Sequence, residues 1–301
     1  MPDIAAIQTI IEEHLATIDN KNSIVEIAFF GGNFTGLSLK DQEAYLSSVM
    51  PYINDGRVRS IRLSTRPDYI TQENLDLLKR YSVETIELGV QTLDDEILKN
   101  IKRGYTSADV KKAVDLINES GFRLGLQMMI GLPGDTLEKS LNTAKDFIAL
   151  GAKDVRIYPT LVIKDTLLEQ HFYKKKFEPL SLETAVQWCK ELYLLFEQAG
   201  LTILRVGLHP SEGFINKTSL VAGPFHVSFR ELVYTEIWND ILKFIPVKSG
   251  KKISLSVSEK EYNYAIGYHS KNKKMLLNNF EVVHFKKDDQ LKGRDFYFDI
   301  I

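Results

Sequence analysis

The sequence has little cysteine and no long apolar run. Its 301 residues include one cysteine, Cys189, which excludes an intrachain disulfide and fits a reducing compartment. No stretch of about 18 apolar residues occurs, and the N-terminus carries neither the basic nor the apolar segment of a secretory signal. We therefore expect a soluble, cytoplasmic protein without a membrane segment.

A strong charge of either sign is also missing. The net charge of −2 gives no global argument for nucleic-acid binding, although the segment from Pro246 onward holds 11 Lys and Arg against 7 Asp and Glu. Such a basic end can contact phosphates, but it can equally be a solvated lysine face. With 44% hydrophobic residues, the chain can form one large domain, alone or with a small one.

Strand and helix patterns alternate through the first two thirds of the chain. The predicted strands are Ser23–Phe30, Ser60–Ser64, Thr85–Val90, Arg123–Ile130, Asp154–Pro159 and Leu201–Val206. The predicted helix caps are Ser38 with Asp41, Thr106 with Asp109, and Asp135 with Glu138. Apolar spacing from Ile4 to Ile11 predicts an opening helix. Repeated strand–helix units indicate a parallel (β/α) barrel or a large open sheet.

One side of almost every predicted strand is polar. The polar positions are Glu26, Arg62, Ser64, Arg66, Thr85, Glu87, Gln91, Gln127, Arg156, Tyr158, Thr160, Arg205 and His209. Polar groups that converge inside a barrel are costly unless they are paired or bound to a ligand. The pattern predicts a polar interior that opens at the carboxyl ends of the strands. The alternative is a buried ion-pair network of Glu26, Glu87, Arg156 and Arg205 that only braces the core.

The first strand runs into a glycine turn, Phe29 to Thr35. Gly31 and Gly32 carry no Cβ and tolerate positive φ, so the backbone can approach a small polar ligand there. The position after a strand of a parallel sheet is where such folds collect ligands. A tight turn without a ligand is the alternative interpretation.

A series of short motifs resembles the radical S-adenosylmethionine (SAM) superfamily. The motifs are Phe29 to Asn33, Ser64 to Tyr69, Glu87 to Gln91, Lys102 to Thr106, Met129 to Pro133 and Tyr158 to Ile163. The chain is most similar to the branch with the Elongator catalytic subunit and, more distantly, oxygen-independent coproporphyrinogen III oxidase. The resemblance implies an α/β fold: a partial (β/α)6, TIM-like barrel that lacks its first strand, over residues 1–224. A small C-terminal α+β domain would occupy residues 225–301.

The resemblance also implies two cofactors, SAM and a [4Fe-4S] cluster held by Cys-x3-Cys-x2-Cys. The sequence departs from the family here, because no such cysteine triad occurs and the chain opens on the helix after the expected first strand. We expect a truncated enzyme, inactive as this chain. The alternative is a cluster-free remnant, which would have no physical reason to keep a costly polar lining. An exposed edge at Ser23–Phe30 predicts association.

The resemblance further implies residue roles. The cofactor-binding residues would be Gly31, Gly32, Asn33, Ser64, Gln91, Arg103, Gln127 and Ile130. Among these, Arg103 matches an arginine suited to the SAM carboxylate, and Gln127 stands where relatives contact the ribose with an acid. The candidates for catalysis or substrate contact are Arg156, Tyr158 and Arg205. Lys164 and His209 are further candidates for substrate contact.

The implied function is reductive cleavage of SAM to a 5′-deoxyadenosyl radical, with tRNA or a small metabolite as substrate. A non-catalytic SAM- or RNA-binding module of the same fold is the alternative. A phosphate-binding barrel would need glycine turns at Gly207 and Gly223. In the C-terminal region we predict the helix Phe229 to Phe244 and three strands. Gly267 there resembles the turn of RNA-binding KH modules, but the second glycine of that turn is missing.

Overall fold

A computed structural model of the protein describes residues 3–18, 23–246 and 252–300. The chain divides into two compact units. The first comprises Met1–Ile157 and Leu195–Leu204, and the second comprises Tyr158–Leu194 and Arg205–Ile301. The predicted domain boundary between residues 224 and 225 stays a prediction. No helix in the described part of the chain is both long enough and apolar enough to span a bilayer.

Six parallel strands form a half-barrel sheet. They are β1 (Glu26–Phe29), β2 (Ser60–Thr65), β3 (Val83–Gln91), β4 (Arg123–Ile130), β5 (Asp154–Pro159) and, later in the chain, β7 (Thr202–Val206), and they lie side by side in that order. Helix α1 (Ile4–Leu15) precedes β1, and the strands are followed by the helices α2 (Leu39–Asn54), α3 (Gln72–Arg80), α4 (Asp95–Asn100), α5 (Ser107–Glu119) and α6 (Leu137–Ala149). The predicted fold class, a partial TIM-like barrel, is confirmed.

The apolar side of the strands forms the core of the first unit. Its members Ile61, Leu63, Ile86, Leu88, Leu124, Leu126, Val155 and Ile157 are all buried. This confirms the predicted division of the strands into one apolar and one polar side. Burial of the apolar side against helices is the main favourable term in the folding of such a sheet.

The observed strand bounds differ from the predicted ones by one to three residues at β1, β2, β3 and β7. Strands β4 and β5 have the predicted bounds, whereas β1 begins at Glu26 instead of Ser23. Pairing with β2 begins at Glu26 opposite Ser60, and directly before it the Val25 carbonyl accepts from the Arg59 amide at 2.8 Å.

The cap predicted for α6 is wrong by one residue. Thr136 is the N-cap, and its hydroxyl accepts a hydrogen bond from the Lys139 amide at 3.2 Å. The carboxylate of Asp135 instead accepts from the Gly131 amide and the Ser140 hydroxyl, both at 2.8 Å. Asp135 therefore closes the preceding loop, and the threonine beside it starts the helix.

The second unit contains a small mixed sheet covered by helices. Strand β9 (Lys252–Ser258) is central, parallel to β10 (Val282–Asp288) and antiparallel to β11 (Phe296–Ile300). The helices near it are α10 (Phe229–Leu242), α11 (Tyr262–Ile266) and α12 (Lys271–Leu277). Trp238 and Leu255 are fully buried in their shared core. The predicted α+β region is confirmed, with α10 two residues shorter than predicted.

Several short elements of the second unit were not predicted. They are the antiparallel pair β6 (Val162–Ile163) and β8 (Leu220–Ala222), with α7 (Leu167–Tyr173) and α9 (Glu212–Ile215). Strands of two or three residues are too short to show an alternation. The longer helix α8 (Leu182–Gln198) carries residues of both units.

Candidate cofactor site at the strand ends

Glu87 is the centre of an ion-pair network inside the half-barrel. Its side chain, on β3, is 1% exposed and lies between an arginine of the adjacent strand β2 and an arginine of β5, two strands away. Arg62 donates to Glu87 Oε1 at 2.9 Å, and Arg156 donates to Oε2 at 2.6 Å and to Oε1 at 3.0 Å. A buried carboxylate needs such partners, because an unpaired buried charge is strongly destabilising.

The network continues toward the amino ends of the strands. Glu26 accepts from Arg62 Nε at 3.0 Å, and Asp154 accepts from Arg123 at 2.6 and 2.8 Å. The three carboxylates of Glu26, Glu87 and Asp154 thus face an equal number of guanidinium groups, those of Arg62, Arg123 and Arg156. The predicted network is confirmed for Glu26, Glu87 and Arg156. Arg205 belongs to the second unit, and the described contacts of its side chain are with Gly207 and His209 there.

A glycine makes room for this centre. A Cβ added to Gly125 would stand 2.7 Å from Glu87 Cγ, closer than real contacts allow. The residue paired with Glu87 on β4 therefore must be small. The strand periodicity gave no sign of this requirement, because it places Gly125 on the polar side of β4 without indicating how large the residue can be.

Ser64 and Gln127 lie at the upper edge of the network. Gln127 Nε2 donates to Glu87 Oε2 at 2.9 Å and to Ser64 Oγ at 3.2 Å. The structure thus brings together two residues that the resemblance assigned to SAM. Because the Gln127 amide nitrogen donates to Glu87 and Ser64, its side-chain oxygen remains as a hydrogen-bond acceptor.

The glycine turn after β1 is tied to the end of β2. The Asn33 side-chain oxygen accepts from the Thr65 hydroxyl at 2.6 Å and from the Arg66 amide at 3.1 Å. Thr65 also contacts the Thr35 hydroxyl at 2.5 Å. The Asn33 oxygen therefore braces the turn, which leaves the backbone of the two glycines to meet a ligand.

A cavity of about 450 Å³ lies beside this turn. It is lined by Gly31, Gly32, Asn33 and Ser64 together with apolar residues of α1 and β1. Gly31 has φ +98°, and a Cβ on either glycine would meet no atom within 4 Å. Open space and positive φ at this turn fit close approach of a ligand to the backbone.

Gln91 and Arg103 meet at the carboxyl end of β3. Arg103 Nη2 donates to the Gly89 carbonyl at 3.0 Å, and its Nε donates to the Tyr105 hydroxyl at 3.0 Å. The Tyr105 hydroxyl in turn donates to Gly89 O at 2.8 Å, and burial raises the pKa of this phenol. Gln91 has φ +69° at a register shift of the strand.

Two polar groups at this point have no partner in the part of the chain that the structure describes. In the described residues, neither the Gln91 carboxamide nor Arg103 Nη1 forms a hydrogen bond or an ion pair. A non-glycine residue in the left-handed region costs roughly 1–3 kcal/mol and occurs preferentially at functional sites. This pair of groups is the strongest ligand signal at the strand ends.

Ile130 is buried at the end of β4, directly before the loop that Asp135 closes. Burial raises the pKa of the Asp135 carboxyl. Tyr158 and Arg205 belong to the second unit, where Arg205 contacts Gly207 O and His209 Nδ1, each at 3.2 Å. A catalytic role for Arg156, Tyr158 or Arg205 stays a prediction.

Glycines Gly207 and Gly223 are packed against protein. A Cβ on Gly207 would stand 2.8 Å from Phe229, and one on Gly223 would stand 3.1 Å from Leu161. Their missing side chains make room for neighbouring residues. Nothing at these turns favours the phosphate-binding barrel.

The residues present do not fit an iron–sulfur cluster. Burial raises the pKa of the single thiol, Cys189, which is fully buried. Within residues 3–18, 23–246 and 252–300, no three His, Cys, Asp or Glu side chains converge to hold a metal. The strand ends instead present hydrogen-bond donors and acceptors at Gly31, Gly32, Gln91, Arg103 and Gln127.

Sequence reasoning missed four residues of this site. Asp154, Arg123 and Tyr105 were not assigned any role, and Arg62 was noted only as one polar position. The signal for Tyr105 was its place in the motif Lys102 to Thr106, where its hydroxyl braces Arg103. No pattern signalled Asp154, because it lies at the amino end of its strand.

Family models match most of the chain. The model of the radical SAM superfamily matches residues 7–147, and the model of the radical SAM C-terminal domain matches residues 152–239. Among solved structures, Methanocaldococcus infernus Elp3 with an N-terminal deletion is similar, with a TM-score of 0.68 at 24% identity. The match covers 76% of this chain and 57% of that chain, and it shows similarity of fold.

Curated relatives are similar over part of their length. The tRNA uridine(34) acetyltransferase of M. infernus is 27% identical over 198 residues, which are 58% of this chain and 36% of that protein. Elongator complex protein 3 of Saccharomyces cerevisiae is 25% identical over 194 residues, 58% of this chain and 35% of that protein. This chain thus spans about a third of these relatives. By its motifs, its half-barrel and both family models, the chain belongs to the radical SAM superfamily.

Proposed function

We propose that the half-barrel binds SAM at the carboxyl ends of its strands and belongs to an enzyme that uses a 5′-deoxyadenosyl radical to modify tRNA. The observation that carries the SAM proposal is the pair of unpartnered groups at Gln91 and Arg103. In the superfamily, a [4Fe-4S] cluster supplies the electron for SAM cleavage. This chain has no cysteine set for that cluster, so its own residues bind and orient SAM.

Arg103 is prepared to bind the SAM carboxylate. Its Nε and Nη2 are held by Tyr105 and Gly89, which fixes the plane of the guanidinium and leaves Nη1 available. A guanidinium whose orientation is fixed in advance loses little side-chain entropy when it pairs with a carboxylate. The SAM carboxylate would form an ion pair with the Arg103 guanidinium, which has no acidic partner among the described residues.

The remaining contacts are polar and close to the same edge. The backbone of Gly31 and Gly32 is open toward the cavity, and the Gln127 oxygen is turned away from Glu87 as an acceptor. These groups suit the amino group and the ribose hydroxyls of SAM. Ile130 supplies an apolar residue at the neighbouring strand end, as an adenine contact requires.

The choice of tRNA as substrate comes from the relatives. Two curated relatives, of Methanocaldococcus infernus and Methanocaldococcus jannaschii, are named as tRNA uridine(34) acetyltransferases, and each match covers 58% of this chain. This favours tRNA over a small metabolite.

Equilibrium dialysis with radiolabelled SAM tests the cofactor site on the full chain. We expect Arg103→Ala to weaken SAM binding at least about tenfold, because a charge-assisted pair is lost. Arg103→Lys should lose most of this affinity as well, since lysine cannot reproduce the fork. Arg59→Ala is the matched control, because Arg59 is exposed and precedes the amino end of β2. Absence of saturable binding, or equal affinity in all variants, would overturn the proposal.

The DNA upstream of the Met1 codon separates the enzyme from a non-catalytic SAM-binding module. An open frame with Cys-x3-Cys-x2-Cys supports the enzyme, and the longer protein should then form 5′-deoxyadenosine after anaerobic cluster assembly. A stop codon without the triad would favour the binding module.

A further inference from the structure

The turn between α11 and α12 has an unusual backbone. Gly267 has φ +85°, and the two non-glycine residues His269 and Ser270 have φ +49° and +59°. Left-handed conformations are unfavourable for residues with a Cβ and usually persist only where the surroundings impose them. Ser270 stands where the second glycine of a KH-type turn was missing. The turn therefore keeps a glycine-like backbone at both of its ends.

A buried polar network holds the turn in place. The Tyr268 amide donates to Thr235 Oγ1 at 2.8 Å, and the Ser270 amide donates to the Gly267 carbonyl at 2.8 Å. Asn272 is fully buried and donates to the Thr235 carbonyl at 3.0 Å. A Cβ on Gly267 would stand 3.0 Å from the Asn272 amide. This surrounding structure fixes the turn before any ligand arrives.

A polar cleft of about 440 Å³ opens beside the turn. Its lining includes Glu231, Lys260, Asn263, Tyr264, Tyr268 and His269. The volume lies in the range of small-molecule sites, and the lining combines aromatic rings with groups of both charges. Lys260 and Glu231 form no ion pair with any residue that the structure describes.

The aromatic residue of the cleft is held rigidly. Tyr264 stacks on Tyr234 with ring centroids 4.4 Å apart and an interplanar angle of 17°. Tyr234 is itself hydrogen-bonded to Tyr193 at 2.7 Å. A ring supported on one face is well suited to stack a nucleobase, which contributes about 1–3 kcal/mol per base in single-strand binding.

The charged groups match the remaining parts of a nucleotide. Lys260 is exposed, and with the His269 imidazole it suits a phosphate, while Glu231 and Asn263 can accept from and donate to the edge of a base. Lys273 and the exposed Lys274 follow in α12. An acidic peptide would satisfy the lysines but would bring further negative charge to Glu231.

We propose that this cleft binds a nucleotide of a single-stranded RNA segment, with the base against Tyr264 and the phosphate at Lys260 and His269. The cleft lies beyond both family models for most of its residues, since the second model ends at residue 239. This proposal rests on the proposed function, which identifies the RNA as a tRNA.

Fluorescence anisotropy with a labelled single-stranded RNA of about ten nucleotides tests the proposal on the full chain. We expect Lys260→Ala to weaken binding about fivefold and to reduce the salt dependence by about one counterion. Lys292→Ala is the matched control, because Lys292 is exposed and does not line the cleft. Equal affinity of both variants would overturn the proposal.

His269→Gly is a second variant, and it should not destabilise the fold. It removes left-handed strain, so we expect a higher unfolding midpoint together with weaker RNA binding. Lys217→Gly, at another exposed left-handed position with φ +57°, should raise stability without affecting RNA. Unchanged RNA affinity of His269→Gly would count against the cleft.

Three competitors distinguish the ligand. Unlabelled RNA should compete, whereas uridine monophosphate at the same concentration and an oligoglutamate peptide should not. Equal competition by the monophosphate would replace the proposal with a free-nucleotide site, and competition by the peptide would replace it with a protein partner. SAM binding is measured on the same samples. Full tRNA and SAM binding by Lys260→Ala would overturn this proposal while the proposed function stands.

Discussion

Left-handed residues other than glycine mark both candidate sites. Gln91 flanks the proposed SAM site and His269 lines the cleft of the second unit, whereas Ser82 adopts the same conformation in a turn outside both. Strain alone therefore does not identify a site. At Gln91 and His269 the strain coincides with a side chain that has a ligand-binding group to offer.

Replacement of Gln91 by glycine separates strain from binding. The variant should unfold at the same or a higher temperature, because about 1 kcal/mol of backbone strain is relieved, while SAM affinity falls with the loss of the carboxamide. Differential scanning fluorimetry and equilibrium dialysis give the two readouts. Ser82→Gly should match the gain in stability and keep SAM affinity. If Gln91→Gly binds SAM as the parent protein does, the carboxamide is not a ligand group.

Glu87 should be essential for folding stability. The Glu87→Gln variant removes the buried counter-charge that the half-buried Arg62 and Arg156 share, so we expect the free energy of unfolding to fall by about 3 kcal/mol in urea. Glu84→Gln is the control on the same strand. Glu84 is exposed and 3.9 Å from Arg59, so its loss should change stability by less than about 0.5 kcal/mol. Similar losses in both variants would contradict the network's importance.

At the scale of elements, the start of α6 depends on one threonine. Thr136→Ala removes the acceptor for the Lys139 amide, and we expect it to cost about 1 kcal/mol in the free energy of unfolding. Thr17→Ala changes an exposed threonine after α1 and should have a much smaller effect. Chemical denaturation of both variants gives the comparison. An equal effect would show that the cap is not a major contribution.

The loop before α6 should make stability depend on pH. Burial raises the pKa of Asp135 in the folded protein, so its contribution to stability is fully present at low pH and is lost as the pH rises through the folded pKa. The Asp135→Asn variant lacks this dependence. As the pH rises from about 4 to 7, the free energy of unfolding of Asp135→Asn should therefore increase relative to that of the parent protein, as urea titrations measure. A change in the opposite direction would show that hydrogen bonds to the carboxylate outweigh its burial.

At the scale of the whole molecule, Cys189 reports global unfolding. Burial raises the pKa of its thiol and shields it from reagents, and it is the only cysteine of the chain. We expect iodoacetamide at pH 8 to leave the folded protein unlabelled and to react once the protein unfolds in urea, as mass spectrometry detects. Cys189→Ser should never be labelled. Rapid labelling of the folded protein would mean that α8 opens locally.

Sequence periodicity was sufficient for the half-barrel. Strands β4 and β5 were predicted with their observed bounds, because each is long enough for its apolar side to be distinguished from its polar side. The shorter β6 and β8 were not predicted. Local pattern also misplaced the α6 cap, since Asp135 and Thr136 are both good caps and the contact of Asp135 with Gly131 decides between them.

What the sequence by itself determined is the set of residues that face the barrel interior, because side-chain alternation along a strand is a local property. Which of them pair was decided only by the tertiary structure. Glu87 and Arg156 are 69 positions apart and meet because their strands curve around one interior, while Arg205, on the same polar side, pairs elsewhere. Ion pairing depends on distances of a few ångströms between strands, and a strand pattern carries no information about them.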